Sequence, residues 1–177
     1  MAVRTLSCPV PANVNPLSPN GYMFSIQKLP ELTYFCQQVN LPAASIGTAD
    51  FSTPLVRIPV PGENIEYEQL RVEFMVDSKM ANYKAIYDWM KGIGFPESNA
   101  DYDNWAVTDP NSISEFSKMT SDATLTILDN NNNTSATIAF SNCFPVSLES
   151  LQFVSNNDDV QYLIGSVTFN YTLYRFL

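Results

Sequence analysis

The stretch that decides the fold runs from Tyr67 to Met90, with YEQLRVEFMVD at residues 67–77 and NYKAIYDWM at residues 82–90. In its first part apolar side chains alternate with polar ones, at Leu70, Val72, Phe74 and Val76. This period of two predicts a core strand over residues 66–77. In its second part apolar side chains recur at helical spacing, at Tyr83, Ile86, Tyr87 and Met90. We therefore expect an amphipathic helix over residues 82–91, anchored to a sheet by these four side chains and Trp89.

The size and composition of the chain fit one globular domain. It has 177 residues, of which 45% are hydrophobic and 12% aromatic. A chain of this length buries about 70% of its unfolded surface on folding. The 12 prolines, with many Asn, Ser and Thr residues, favour turns and strands over helices.

The charge and the missing histidine exclude several functions. The chain has 9 basic and 18 acidic residues, no histidine and a formal net charge of -9. Such a charge disfavours sequence-specific binding of nucleic acid. It is compatible with the passage of nucleic acid through a channel, and the alternative is that the charge serves only to keep the protein soluble. Without histidine, Ser-His-Asp or Cys-His catalysis and every His-containing metal site are excluded.

The cysteines and the hydropathy pattern indicate a reducing compartment and no membrane segment. Cys8, Cys36 and Cys143 lack metal-site spacing, and their odd number argues against a disulfide framework. We expect Cys36 and Cys143 to behave as small buried hydrophobes. The sequence shows neither a leader pattern nor an apolar run of about 18 residues, so we expect no signal peptide and no membrane span.

The first half of the chain is predicted to contain an arm and two hairpins. Residues 1–20, with four prolines, form an extended arm that is either frayed or lies on a neighbouring subunit. Strands over residues 22–28 and 33–39 form a hairpin around a turn at residues 29–32. Residues 43–64 form an extended hairpin that protrudes from the domain, with Pro59 confined to an edge or an end of its second strand.

The second half continues as strands around one long loop. Asp77 or Ser78 is suited to cap the helix and Gly92 to end it. Residues 94–122 form a long polar loop. Strands over residues 123–128 and 135–140 flank an Asn-rich turn, a further strand region bends at Pro145, and a last strand covers residues 160–174. With about seven or eight strands, residues 21–177 are predicted to be one mainly β domain with one short helix, in which two packed antiparallel sheets form a sandwich or barrel.

Candidate catalytic groups are few. Asp101 with Asp103, and Asp158 with Asp159, are the densest carboxylates. Neither pair lies in an apolar segment that would hold one carboxyl protonated, so turn formation is the better interpretation. The sequence has no Gly-rich phosphate loop and no alternating calcium ligands, and we predict no metal, no cofactor and no enzymatic activity.

Four segments in order resemble the tail tube proteins of contractile-tailed bacteriophages. They are TYFCQ at 33–37 followed by Leu41-Pro42, IPVPG at 58–62, the strand and helix of 67–90, and the closing strand at 167–174. The resemblance covers residues 20–95 well and residues 123–177 loosely. It implies two antiparallel sheets with one helix, hexameric rings that stack into a hollow tube, and a hairpin that reaches a neighbouring subunit.

On this resemblance we expect the hairpin to form the subunit contact. Its interface residues would be Ile46, Phe51, Leu55, Val56, Ile58 and Val60. Unpaired sheet edges would also pair with identical copies and close the ring. Glu66, Glu68 and Glu73 are candidates for the bore, where negative charge would let DNA slide without specific binding; a solvated outer sheet face is the equal alternative.

The resemblance also implies partners, a location and alternatives. The partners would be further copies, sheath and baseplate proteins, and the location the virion tail, assembled in the host cytoplasm. The arm and the 94–122 loop exceed what a plain tube subunit needs, so a baseplate tube initiator and a tube-capping ring at the neck remain alternatives. A carbohydrate-binding tail-fibre module with an aromatic platform around Trp105, and a hydrolase using Asp101 or Asp103, are the other hypotheses.

Overall fold

The computed structural model describes residues 16–52, 54–94, 119–155 and 162–177. The elements of this part are, in order, β1 (Tyr22–Ile26), α1 (Pro30–Phe35), β2 (Cys36–Val39), β3 (Ala44–Ser52), β4 (Arg57–Tyr67), β5 (Leu70–Met75), α2 (Ala81–Gly94), β6 (Ser121–Leu128), β7 (Thr134–Leu148), β8 (Ile164–Asn170) and β9 (Leu173–Phe176).

Seven of the described strands form two antiparallel sheets that share β7, and β3 and β4 form a separate two-stranded sheet. The strand order is β1-β6-β7-β8-β5-β2, with β9 also paired to β7, while β3 and β4 pair only with each other. The first half of β7 pairs with β6 and β9, and its second half pairs with β8. The predicted mainly β fold with packed antiparallel sheets is confirmed, but the described strands do not close into a barrel.

Side chains from both sheets and both helices meet in one core. β5 alternates as its sequence predicts, with Leu70, Val72 and Phe74 fully buried and Arg71 exposed. Trp89 of α2 is also fully buried, and its ring centroid lies 6.1 Å from that of Phe169 on β8. The Trp89 indole N–H donates to the Met119 carbonyl at 2.8 Å, so the one polar atom of this side chain is satisfied.

The face of α2 that meets the core differs from the predicted one. Ile86 and Trp89 are buried and Tyr83 and Met90 are partly buried, but Tyr87 is 55% exposed and does not anchor the helix. The helix runs to Gly94, so Gly92 does not end it. The helix begins at Ala81, so neither Asp77 nor Ser78 lies directly before its first residue as a cap would. Asp77 instead accepts a hydrogen bond from the Lys79 backbone N–H at 3.4 Å.

A second helix occupies residues predicted to be a turn and a strand. Pro30 stands at the first helical positions of α1 and Glu31 in its first turn, a combination that favours a helix start. Burial of Leu29 and Leu32 in the core then fixes the helix. The predicted hairpin of residues 22–28 and 33–39 is wrong, because β1 pairs with β6 and β2 pairs with β5.

The C-terminal strands follow the predicted pattern with two interruptions. β6 and β7 form the predicted hairpin around the Asn-rich turn, where Asn132 has a φ of 60°. β8 and β9 continue one register along β7 and are separated at Tyr171 and Thr172, so the predicted single last strand is divided. The sequence predicted a bend at Pro145, and β7 has a register shift between Pro145 and Ser147. Asn142 of the same strand has a left-handed backbone conformation, with a φ of 57°.

The predicted strand over residues 66–77 is also divided. β4 ends at Tyr67 and β5 begins at Leu70, so the two residues between them connect a separate two-stranded sheet to the main one. Of the predicted N-terminal arm, residues 1–15 lie outside the described part, and residues 16–20 contain no helix or strand. Most of the predicted 94–122 loop also lies outside it. No helix in the described ranges is long and apolar enough to cross a membrane.

Candidate subunit interface

The β3–β4 hairpin is exposed on both faces. Every described residue of β3 and β4 is exposed except Gly62, which is half-buried. An isolated two-stranded hairpin is at best marginally stable in water. A hairpin whose apolar side chains are exposed along most of its length is therefore a surface that a partner would stabilise.

All six predicted interface residues are exposed on this hairpin. Leu55 is 95% exposed, Phe51 64% and Val56 60%. Ile46, Ile58 and Val60 are also exposed. The register places Phe51 opposite Ile58, so these apolar side chains share one face of the ladder. Their contact with a neighbouring copy remains a prediction.

Local sequence explains why this ladder forms despite its prolines. Pro59 and Pro61 pair with Asp50 and Thr48 in a two-stranded sheet, where every strand is an edge and a missing N–H can face outward. At the irregularity between Ile46 and Thr48, a Cβ on Gly62 would lie 2.5 Å from the Gly47 carbonyl oxygen. Gly62 is therefore required for the close approach of the two backbones.

Hydrogen bonds fix the hairpin base to the main sheet. The Glu68 N–H donates to the Ala43 carbonyl at 2.9 Å. The Asn40 side chain accepts from the Arg71 N–H at 2.6 Å and donates to the Gln69 carbonyl at 3.2 Å. The sequence prediction missed this role of Asn40. No local pattern marks it, because its partners Gln69 and Arg71 lie 29 and 31 residues further along the chain.

An aromatic cluster packs against the same base. The Tyr67 ring centroid lies 5.2 Å from that of Tyr174 and 6.1 Å from that of Tyr171. The Tyr171 hydroxyl donates to the Glu68 carbonyl at 2.8 Å. Burial, reinforced by neighbouring Tyr174, raises the pKa of Tyr171 to about 12. The Tyr171 hydroxyl therefore keeps its proton, and its hydrogen bond to the hairpin base, over the physiological range.

Several described strands have an open edge, and two of these edges belong to the sheet of β2, β5, β8 and the second half of β7. β2 pairs only with β5. The second half of β7, at Phe144–Leu148, pairs only with β8, since the β6 ladder ends at Cys143. The two edges lie at opposite ends of the β2-β5-β8-β7 sheet, so they are placed for head-to-tail pairing between copies.

The three predicted bore residues lie on three successive segments. Glu66 is on β4, Glu68 is between β4 and β5, and Glu73 is on β5. Glu66 and Glu68 are exposed, whereas Glu73 is half-buried and faces Ser166 across the β5–β8 ladder. Glu73 is thus less available to a passing polyanion than the other two. Arg71, on the same strand as Glu73, is held by Glu149 in an exposed ion pair of 2.6 Å.

The described residues offer little reactive chemistry. Burial raises the pKa of the Cys143 thiol to about 12 and that of Cys36 to about 11, which keeps both protonated and weakly nucleophilic. Cys143 is buried as predicted and Cys36 is half-buried. No group of three or more potential metal ligands occurs in the described ranges. Asp101, Asp103, Asp158, Asp159 and Trp105 lie outside the described residues.

A groove that the sequence prediction missed lies between the segment that follows β7 and the segment that leads into β8. It has a volume of about 650 Å³, and its described lining consists of residues 150, 152–155 and 162–164. Phe153 is 71% exposed there and Tyr162 72%. The two lining segments have no regular periodicity, so only a run of apolar residues beside β8 could have indicated the groove.

Comparison with known proteins identifies the family. The family model described as phage tail tube protein matches residues 6–177. A chain of the anti-feeding prophage baseplate, in a six-fold symmetrised cryo-EM structure, aligns with a TM-score of 0.63 and 13% identity over 93% of this chain and 97% of that chain. A chain of the anti-feeding prophage tube-terminating cap aligns with a TM-score of 0.57 and 14% identity over 100% and 99%.

A third structure widens the comparison. A chain of the sheath-tube complex of an extracellular contractile injection system aligns with a TM-score of 0.52 and 16% identity over 92% of this chain and 91% of that chain. No curated protein sequence matches the chain. At these identities the three structures show a shared fold, while the family model covers nearly the whole sequence. The chain belongs to the phage tail tube protein family.

Proposed function

We propose that this chain is the subunit of a hexameric ring that stacks into the tail tube of a contractile phage and forms its DNA conduit. The observation that supports the proposal most directly is the β3–β4 hairpin, whose apolar side chains are exposed along most of its length in a single copy. The hairpin would contact a neighbouring copy through Ile46, Phe51, Leu55, Val56, Ile58 and Val60.

The sheet edges support closure of the ring. β2 and the second half of β7 are open at opposite ends of one sheet. Pairing of β2 with β7 of the next copy would satisfy both edges, and repetition of one head-to-tail contact closes a ring when the rotation permits. Partners would be further rings, sheath proteins and baseplate proteins, in a virion tail assembled in the host cytoplasm.

The bore would carry negative charge. Glu66 and Glu68 are exposed at the hairpin base, and the chain has a net charge of -9. A DNA phosphate that meets carboxylates finds no lasting partner, so the DNA slides. Glu73 would contribute less, because its side chain is half-buried.

Deletion of the hairpin tests the proposal. Wild-type protein is expected to give rings or tubes by negative-stain microscopy. A variant lacking residues 46–61 should keep its circular dichroism spectrum and cooperative unfolding, since the removed residues lie outside the core. It should sediment as a monomer. Rings of the deleted protein would contradict the role of the hairpin.

The end of the tube is the second candidate position. The baseplate and cap chains align over almost the whole of this chain, so the same fold occurs in structures from both ends of such a machine. Microscopy separates the positions, because a tube-body subunit polymerises into tubes of varied length. A baseplate or capping subunit instead stops at one or a few rings.

A further inference from the structure

The sheet of β2, β5, β8 and the second half of β7 has one face that packs on the core and one that does not. Leu70 and Phe74 of β5 and Phe169 of β8 are fully buried on the first face. Arg71 and Thr168 alternate with them and belong to the second, which we call the outer face. In the proposed ring, both open edges of this sheet pair with neighbouring copies, so the sheets of all copies form one continuous wall. The outer face is then the face that lines the bore, because the core and the helices lie behind the other.

Arg71 is the only basic residue of this sheet. β2, β5, β8 and residues 144–149 contain no other Lys or Arg, whereas they contain two carboxylates, Glu73 and Glu149. A ring would therefore repeat one cation per copy around its bore. A guanidinium binds two phosphate oxygens at once, and each phosphate contact adds to the retention of DNA. Unpaired, these cations would hold the DNA that the carboxylates of the bore allow to slide.

Glu149 occupies the guanidinium of Arg71. Arg71 Nη2 donates to Glu149 Oε1 at 2.6 Å. Arg71 lies beside Thr168 on one side of β8, and the Glu149 N–H donates to the Ser166 carbonyl from the other side, so the ion pair crosses β8 on the outer face. Ser166 belongs to this face but is only 8% exposed, and among the described residues its hydroxyl oxygen has no hydrogen-bond partner. Such burial is expected beneath a pair of side chains that spans the strand.

Hydrogen bonds of the backbone fix both members of the pair. The Arg71 N–H donates to the Asn40 side chain at 2.6 Å, and the Arg71 carbonyl accepts from the Asn40 N–H at 3.2 Å. The Glu149 N–H donates to the Ser166 carbonyl at 2.9 Å, and the Glu149 carbonyl accepts from the Tyr83 hydroxyl at 3.2 Å. The two side chains therefore start from fixed positions on the outer face.

The stability of the fold does not explain this pair. Its two side chains are 55% and 49% exposed, and ion pairs with that exposure contribute little to the free energy of unfolding. What the pair does change is the charge that the outer face presents, because it cancels the one cation of the sheet.

We propose that Glu149 neutralises Arg71 so that the only cation of the bore wall cannot hold the phosphates of passing DNA. This inference rests on the proposed function, in which the sheet edges close a ring around a DNA conduit, and it assigns a role in that conduit to Glu149. The carboxylate occupies donors that a phosphate would otherwise use, and its charge removes the attraction of Arg71 for a polyanion.

Removal of the Glu149 charge tests the inference. Assembled Glu149→Gln protein should retain double-stranded DNA on filters at a protein concentration about tenfold or more below that at which the assembled wild type does. The gain should shrink as the salt concentration rises, while assembly and thermal unfolding should stay as in the wild type. Glu31→Gln is the matched control, because it removes the same charge from an exposed residue of α1, outside this sheet, and should leave retention unchanged.

Two further variants decide whether Arg71 holds the DNA and whether the ring is needed. Arg71→Gln/Glu149→Gln carries neither charge, so its retention of DNA should return to the wild-type level. Deletion of residues 46–61 from the Glu149→Gln protein leaves Arg71 unpaired in a copy that is expected to stay monomeric. A single cation binds DNA weakly, so this monomer should retain little DNA.

The outcomes separate this inference from the proposed function. If assembled Glu149→Gln retains no more DNA than the wild type, or if the double variant retains as much as Glu149→Gln, the role of Glu149 is wrong while the ring stands. Equal retention by the monomer would place Arg71 outside the bore. A Glu149→Gln protein that no longer assembles would give the pair a structural role and also overturn the inference. If wild-type protein forms no rings or tubes, the proposed function itself is wrong.

Discussion

Replacing Gly165 by alanine should destabilise the fold, and the loss should disappear when Phe74 is shortened to leucine. The two residues face each other across the β5–β8 ladder, with Phe74 fully buried. A Cβ on Gly165 would lie 2.8 Å from Phe74 Cζ and 3.1 and 3.3 Å from its two Cε atoms. The φ of Gly165 is not positive, so an alanine there causes a steric conflict and no backbone strain.

The magnitude follows from which atoms collide. Overpacking a rigid core costs about 1–3 kcal/mol, and the gain of about 0.5–1 kcal/mol from removing a strand glycine offsets part of this. Phe74→Leu alone should cost about 1–2 kcal/mol through lost ring atoms. Leucine has no Cε or Cζ, the three atoms in conflict, so Gly165→Ala should cost nothing further in that background and should fill part of the cavity.

Urea unfolding of the wild type, both single variants and the double variant measures this coupling. Circular dichroism and the fluorescence of the two tryptophans, of which Trp89 is fully buried, should report the same transition. We expect a coupling free energy of about 1–3 kcal/mol between Gly165→Ala and Phe74→Leu. Strictly additive losses in the double variant would refute the reasoning.

Three further predictions follow from the helix, the hairpin base and the bore. Ile86→Ala should cost about 2–5 kcal/mol in urea unfolding, whereas Tyr87→Ala should stay within about 0.5 kcal/mol because that side chain is 55% exposed. The pKa of Tyr171, raised to about 12 from 10.0, makes the folded state hold a proton that the unfolded state releases. Stability should therefore be complete below pH 10 and fall as pH rises towards 12, and Tyr171→Phe should flatten this fall in unfolding measured against pH. Glu66→Lys/Glu68→Lys should let assembled protein retain DNA in a salt-dependent filter-binding assay, where the wild type retains none. Equal retention by both proteins would remove these glutamates from the bore.

Periodic segments were predictable from the sequence because burial imposes the period directly. The alternation at residues 70–76 and the helical spacing at residues 82–90 gave β5 and α2. The Asn-rich turn between β6 and β7 was also predictable, since Asn accepts the left-handed conformation found at Asn132. Tyr87 was misplaced because an apolar side chain at an acceptable helical position need not point inward.

Non-local pairing was not predictable in the same way. β1 was expected to pair with the next strand in sequence, but its partner β6 lies about a hundred residues later in the chain. α1 was missed because Thr33, Tyr34 and Phe35 have strand propensity, whereas Pro30 at the helix start and the buried Leu32 decide the local structure. Both errors arose where tertiary contacts override local preference.

The hairpin shows how one segment can be both predictable and incomplete. Its prolines, glycines and apolar residues indicated an extended excursion, and each of its six predicted interface residues is exposed. The sequence could not show that Asn40 and Tyr171 hold the base by hydrogen bonds to Arg71, Gln69 and Glu68. A fixed base reduces the conformational entropy that the hairpin would lose on binding. The hydrogen-bonded base would therefore favour contact through the exposed apolar residues of 46–61, since a pre-oriented hairpin loses less conformational entropy on binding a neighbour than a mobile loop does.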